Sequence, residues 1–139
     1  MQLWGVQGRE LNLAWYDAAR LIERVPDRDK TLSEIYHGIR NKSFQLWAAW
    51  EHDGIKAVLI TQTYRLNGEQ ICSLFILAGD DMRRWFHYLP TIEEWALSKG
   101  CKAMQLVGRK GWGRVLKPHG YRVAGRDNYK YIIRKELKK

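Results

Sequence analysis

Residues 92–121 constrain the fold of this chain more than any other stretch, because four structural signals follow one another there in an order that few folds use. IEEWALSKG has the pattern of an amphipathic helix closed by a glycine, and CKAMQLV reads as a short buried strand. GRKGWGRVLKPHG then reads as a glycine-punctuated loop leading into a second short helix, and YRVAG as another strand. Helix, strand, helix and strand within about thirty residues predict an α/β domain.

The rest of the chain extends this order. Asn12 is placed to cap a helix over LAWYDAARLIER, residues 13–24, with Leu13, Tyr16, Ala19 and Ile22 near helical spacing and Val25-Pro26 as the stop. Thr31 and Glu34 form a capping-box pattern at the start of a second helix, LSEIYHGIR. The period then changes to alternation over residues 44–52, 55–64 and 70–77, which read as three strands of an antiparallel meander. Asp53-Gly54 and Asn67-Gly68, both suited to tight hairpins, separate them. A long helix is expected over 81–99, kinked or restarted at Pro90, where the backbone donor is missing. Near the C-terminus, Arg126, Asp127 and Asn128 turn the chain into a last strand, YKYIIRKEL. With no repeat, low-complexity segment or linker along the way, residues 1–139 are expected to form a single domain.

With 139 residues, 45% of them hydrophobic, the chain is long enough to bury a core, and disorder is not expected. No run approaches the roughly 18 apolar residues of a membrane span. MQLWGVQGRE lacks the basic-then-apolar layout of a signal peptide, so the expected location is cytoplasmic, with no membrane partner. Cys72 and Cys101 are too few and too far apart for a disulfide framework or a metal cluster, and each sits in a strand-like run where buried thiols are common. His37, His52 and His87 show no ligand spacing, and no metal is expected.

Charge is distributed unevenly. Residues 1–100 hold twelve Lys and Arg against thirteen Asp and Glu, whereas residues 101–139 hold twelve against two. A basic C-terminal quarter suits an anionic ligand, such as a phosphorylated cofactor or nucleic acid, and equally suits a solvated tail ending in Arg134, Lys135, Lys138 and Lys139.

The order of two helices, three meandering strands, a long helix, a strand, a short helix and a closing hairpin resembles that of the GNAT acyltransferases. The resemblance covers nearly the whole chain and is closest in EEWALSKGCKAMQLV followed by LKPHGYRV. The GR, GW and GY pairs of this region make it similar in particular to short GNAT-like proteins encoded by tailed phages, which would place it in the host cytoplasm. What the resemblance implies is an α/β (α+β) domain with a central mixed sheet of about six to seven strands and about four flanking helices. It also implies an acyl-CoA, acetyl-CoA or another, held in a gap between strands 70–77 and 101–107, and an amine acceptor. Phe75, Ile76 and Leu77 would line that gap, with Met82, Arg83, Arg84 and Trp85 at the phosphates.

In the family's phosphate clamp, an Arg or Gln is followed by two spacers, a glycine, one spacer, and a glycine or alanine, whose amides hold the pyrophosphate. Counting back from Glu94-Trp95-Ala96, the two glycines align with Arg83 and Trp85. Arg83 and Arg84 suit phosphate oxygens, whereas Asp80 or Asp81 as an acidic helix cap would occupy the same amides and repel an anion. The family's catalytic tyrosine aligns with Leu116, and Tyr121 reads as core. Glu51 and Glu69, at strand ends, are the candidate general bases, while His119 reads as a surface residue. An asparagine that contacts the cofactor arm in many GNAT proteins aligns with Arg109. Trp112 offers a flat face beside Arg109, Lys110 and Arg114, or else plugs the core. Two functional readings remain: an acyl-CoA-dependent N-acyltransferase with a degenerate clamp, and a non-catalytic GNAT-fold phage accessory or virion protein that binds protein or nucleic acid through its basic quarter.

Overall fold

The structure, a computed structural model, describes residues 2–26 and 28–138. Strand β1 (Gln2–Val6) precedes helices α1 (Leu11–Ile22) and α2 (Leu32–Arg40), and strands β2 (Gln45–Glu51), β3 (Gly54–Leu66) and β4 (Glu69–Gly79) follow. Helix α3 (Leu89–Ser98), strand β5 (Ala103–Gly108), helix α4 (Lys110–Leu116) and strands β6 (Arg122–Asp127) and β7 (Lys130–Glu136) complete the order. The strands form one seven-stranded mixed sheet in the order β1-β2-β3-β4-β5-β7-β6. β1–β2, β2–β3, β5–β7 and β6–β7 pair antiparallel, and β4–β5 pair parallel. Such a parallel step needs a crossover element, and the segment carrying α3 supplies it.

Close contacts divide the chain into two compact units. The first comprises Met1–Gln62 with Phe75–Trp85, and the second Thr63–Leu74 with Phe86–Lys139. β3 and β4 each contribute residues to both.

In the first unit, α1 and α2 pack on the sheet through Leu11, Ala14, Ala18, Leu21, Ile22, Ile35 and Ile39, which join Leu46, Ala48, Val58 and Ile60 in one core cluster. The expected face of α1 is corrected. Leu13 and Tyr16 are 78% and 72% exposed, because the buried stripe starts at Leu11 and runs through the small Ala14 and Ala18. Both stripes fit a 3.6-residue period, and the choice falls to the one whose small residues permit close packing on the sheet. Nor does Asn12 cap this helix: it lies inside α1, and its Oδ1 accepts a hydrogen bond from the Tyr36 hydroxyl at 3.0 Å. The Thr31/Glu34 capping box forms as expected, with Glu34 N–H donating to Thr31 Oγ1 at 3.1 Å and Thr31 N–H to Glu34 Oε1 at 3.0 Å.

β1 was not anticipated from the sequence, and the long helix over 81–99 is replaced by a 3-10 turn, Met82–Tyr88, followed by α3, with Pro90 in its first turn. Proline is tolerated there because the first backbone donors of a helix have no intrahelical acceptor. The Asn67-Gly68 turn forms as expected, with positive φ at both residues (52° and 82°).

Cys72 and Cys101 lie in the core as free thiols. Burial pushes the Cys72 thiol up to about 12 and also raises Cys101. Because the thiolate is the reactive form, neither should react with iodoacetamide at neutral pH until the protein is unfolded, whereas both should react in denaturant, as counted by mass spectrometry. Modification of the native protein at the unfolded rate would show that water reaches them. Among the described residues, no helix is long and apolar enough to cross a membrane.

Candidate functional site

At the end of β4, Gly79 has a φ of 153°, and the next residues leave the sheet. Asp80 turns its carboxylate to Arg24 at 3.1 Å, so the expected acidic helix cap is replaced by an ion pair to the segment after α1. Asp81 takes a φ of 50°, and the 3-10 turn begins at Met82. Trp85 is buried and its indole Nε1 donates to the Asp80 carbonyl at 3.1 Å. Arg84 donates to Glu51 Oε1 at 3.2 Å and lies 5.3 Å above the Trp85 ring. The structure thus brings together three residues singled out from sequence, Glu51, Arg84 and Trp85, all in the first unit. Arg84 links the other two, through its ion pair to Glu51 and its position over the Trp85 ring. Arg83 is exposed and has no ion pair among the described residues, and Met82 is half-buried. Phe75 stacks on Phe44 with ring centroids 5.4 Å apart, and Ile76 and Leu77 are buried.

Glu51, His52 and Asp53 bring potential metal-ligand atoms within 4.8 Å of one another. Each carboxylate there already has a cation, Arg84 at 3.2 Å and Lys56 at 2.7 Å.

In the second unit, the glycine-punctuated segment folds as the end of β5, helix α4 and a 3-10 turn, Lys117–His119. Trp112 is half-buried and sits 6.2 Å from Phe86, which meets the His119 ring edge-on at 5.5 Å. A Cβ on Gly108 would come within 3.0 Å of the Trp112 ring. Trp112 is therefore a packing residue with one side left to solvent. Arg109, Lys110 and Arg114 are exposed and make no ion pair among the described residues. Leu116, which the resemblance aligns with a tyrosine, is fully buried.

The basic strand β7 sends successive cations to opposite faces of the sheet. Lys135 donates to Glu93 of α3 at 2.8 Å, whereas Arg134 holds Glu136 at 2.6 Å and Glu69 at 3.5 Å on the face turned away from α3. Glu136 raises the Arg134 ionisation and is itself held below the usual carboxylate range by that guanidinium. Arg134 pairs across the sheet with Gln105, and Gln105 with Ser73. The Gln105 side chain donates to the Tyr64 hydroxyl at 3.1 Å. Tyr64, Gln105, Glu69 and Arg134 therefore form a polar row on one face within the second unit. Gln105 and Tyr64 were not singled out from sequence, although Gln105 is the one polar residue in the buried run AMQL.

The parallel β4–β5 ladder covers three residue pairs, Ile71, Cys72 and Ser73 against Ala103, Met104 and Gln105, although β4 continues to Gly79 and β5 to Gly108. Solved structures match the fold of the chain over its full length. An aminoglycoside 6'-acetyltransferase type Ii superposes with a TM-score of 0.78 at 14% identity, over 100% of this chain and 99% of that one. The chain has the GNAT fold. An aminoglycoside 6'-N-acetyltransferase complexed with coenzyme A shares the GNAT fold at a TM-score of 0.75 and 12% identity, covering 100% of this chain and 98% of that one. The N-acetylglutamate synthase from Neisseria gonorrhoeae, complexed with coenzyme A and N-acetyl-glutamate, matches 99% of this chain with 35% of its own length, at 0.69 and 12% identity. No protein-family model and no curated protein sequence matches the chain. At these identities the likeness establishes the GNAT fold, and function has to be argued from the site.

Proposed function

We propose that the chain is an acyl-CoA-dependent N-acyltransferase that grips its cofactor with arginine side chains in place of clamp glycines. The observation that carries this reading is the short parallel β4–β5 ladder inside a seven-stranded mixed sheet, in a chain whose fold matches acetyltransferases over full length, one of them complexed with coenzyme A. In this reading Phe75, Ile76 and Leu77, which follow the last β4–β5 pair at Ser73, present backbone to a pantetheine arm. Arg83 is the first phosphate contact in this reading, with Arg84 released from Glu51 as the second and with Met82 and Trp85 shaping the turn that carries them.

Glu69 is favoured over Glu51 as the general base. Glu51 is tied to Arg84 at 3.2 Å with a quarter of its side chain exposed, whereas Glu69, held more loosely by Arg134 at 3.5 Å, stands on the same sheet face as Tyr64 and Gln105 with half its side chain exposed. From Glu69 to Ser73 is four strand residues, about 13 Å at a rise near 3.3 Å each, so the amine proton would reach Glu69 through water. The single-domain organisation is part of the same proposal, supported by β3 and β4 each running through both units.

The rival reading, a non-catalytic protein that binds protein or nucleic acid through its basic quarter, draws support from Leu116 being buried where a hydroxyl is needed and from Trp85 filling a clamp position. One titration separates the two. Acetyl-CoA should give saturable calorimetric binding, and Arg83→Ala should weaken it by about 1–2 kcal/mol, roughly 5- to 30-fold, for a lost charge-assisted contact at an exposed site. Absence of heat at millimolar acetyl-CoA would remove the acyltransferase reading and leave the binding protein.

A further inference from the structure

Neither the position aligned with the family's tyrosine nor the nearby Tyr121 can supply a hydroxyl to a ligand. Leu116 has none, and the Tyr121 hydroxyl is buried and donates to Glu93 Oε2 at 2.7 Å. A third hydroxyl stands where the β4–β5 ladder ends. Tyr64 belongs to β3 and Gln105 to β5, with β4 between them, so their 3.1 Å hydrogen bond requires the Tyr64 ring to cross over β4. Gln105 is the last β5 residue paired with β4, opposite Ser73. Val107, the next β5 residue on that face, is 41% exposed, so the face opens to solvent beyond the pair.

In this contact the Gln105 amide donates and the Tyr64 oxygen accepts. The phenol therefore keeps its own proton to donate, and the described residues provide no acceptor for it. An amide donated to the oxygen also polarises the O–H bond, making it a stronger donor. Burial raises the Tyr64 ionisation, with Arg134 opposing, so the proton stays in place at neutral pH. Arg134, across the sheet from Gln105 and fixed by Glu136, adds positive charge to the same face.

We propose that Tyr64 binds the acyl group: its hydroxyl, held by Gln105, donates a hydrogen bond to the thioester carbonyl oxygen at the Ser73–Gln105 end of the ladder. This rests on the acyl-CoA reading. The contact transfers no proton; it favours the carbonyl oxygen as negative charge develops on it during attack by the amine.

The test compares acetyl-CoA with CoA, which lacks the carbonyl, on the intact chain and on Tyr64→Phe. The wild type should bind acetyl-CoA the more tightly. Tyr64→Phe should lose about three- to tenfold in acetyl-CoA affinity, the range of one neutral hydrogen bond, with CoA affinity unchanged. Unchanged CoA binding also shows that the variant is folded. Isotope-edited infrared spectra of bound acetyl-CoA labelled with carbon-13 at the carbonyl should place the stretch lower in the wild type than in Tyr64→Phe. An unaltered band, or an equal loss for both ligands, overturns the assignment of Tyr64 while leaving cofactor binding in place. Failure of the wild type to bind either ligand overturns both readings.

Discussion

Lys135→Ala is expected to destabilise the protein by about 3–5 kcal/mol, a large share of the roughly 5–15 kcal/mol that holds a domain folded. The Lys135 ammonium donates to Glu93 Oε1 at 2.8 Å and to the His119 carbonyl at 2.9 Å. Glu93, only 9% exposed, uses its other oxygen to accept the Tyr121 hydroxyl at 2.7 Å. Without the ammonium, a carboxylate remains in the interior beside a phenol whose ionisation is already raised by burial and by that carboxylate. The cost comes from the uncompensated charge rather than from the worth of the pair, so Lys135→Ala combined with Glu93→Gln should recover part of the loss. Urea denaturation measures both. A single-mutant loss below about 1 kcal/mol would mean that water reaches Glu93 and that the network is a surface one.

Gly79→Ala is expected to cost about 2–4 kcal/mol, for two separate reasons. Its φ of 153° lies where side chains are strained, and an added Cβ would stand 2.7 Å from both the Ala57 Cβ and the Lys56 carbonyl oxygen. Both obstacles belong to the neighbouring strand, so no side chain can swing away to relieve them. The strain falls where β4 passes into the turn that carries Asp80, Arg84 and Trp85, so acetyl-CoA affinity should fall along with the denaturation midpoint. Gly111→Ala makes the comparison: nothing lies within 4 Å of its Cβ and it sits in α4, where alanine is favoured by about 0.5–1 kcal/mol. Equal stability of the two variants would refute the close approach of β3 to the end of β4.

Local signals carried the order of elements because each is settled by residues close together in the chain. Asn67-Gly68 demands positive φ wherever it occurs, Thr31 and Glu34 satisfy each other's backbone donors three residues apart, and Pro90 permits a helix to start but not to pass through it. The family resemblance, which covers nearly the whole chain, extended those signals to the central mixed sheet. Three features depended on packing instead. The buried stripe of α1 could be either of two phases with the same period, and β1, a short edge strand, exists only because β2 offers it a ladder. Residues 82–88 tighten into a 3-10 turn around the buried Trp85.

Partner choice among charged and polar side chains was the least legible. Arg84 finds Glu51 across 33 residues, Gln105 finds Tyr64 across 41 and Lys135 finds Glu93 across 42. Composition announced an excess of cations in the last quarter, but it could not say that Lys135 turns to α3 while Arg134 turns to the opposite face. Periodicity and turn chemistry act through neighbours in sequence and so were determined by the chain alone. The pairing of a buried charge or an interior hydroxyl depends on which strands stand side by side, and only the assembled sheet decided that.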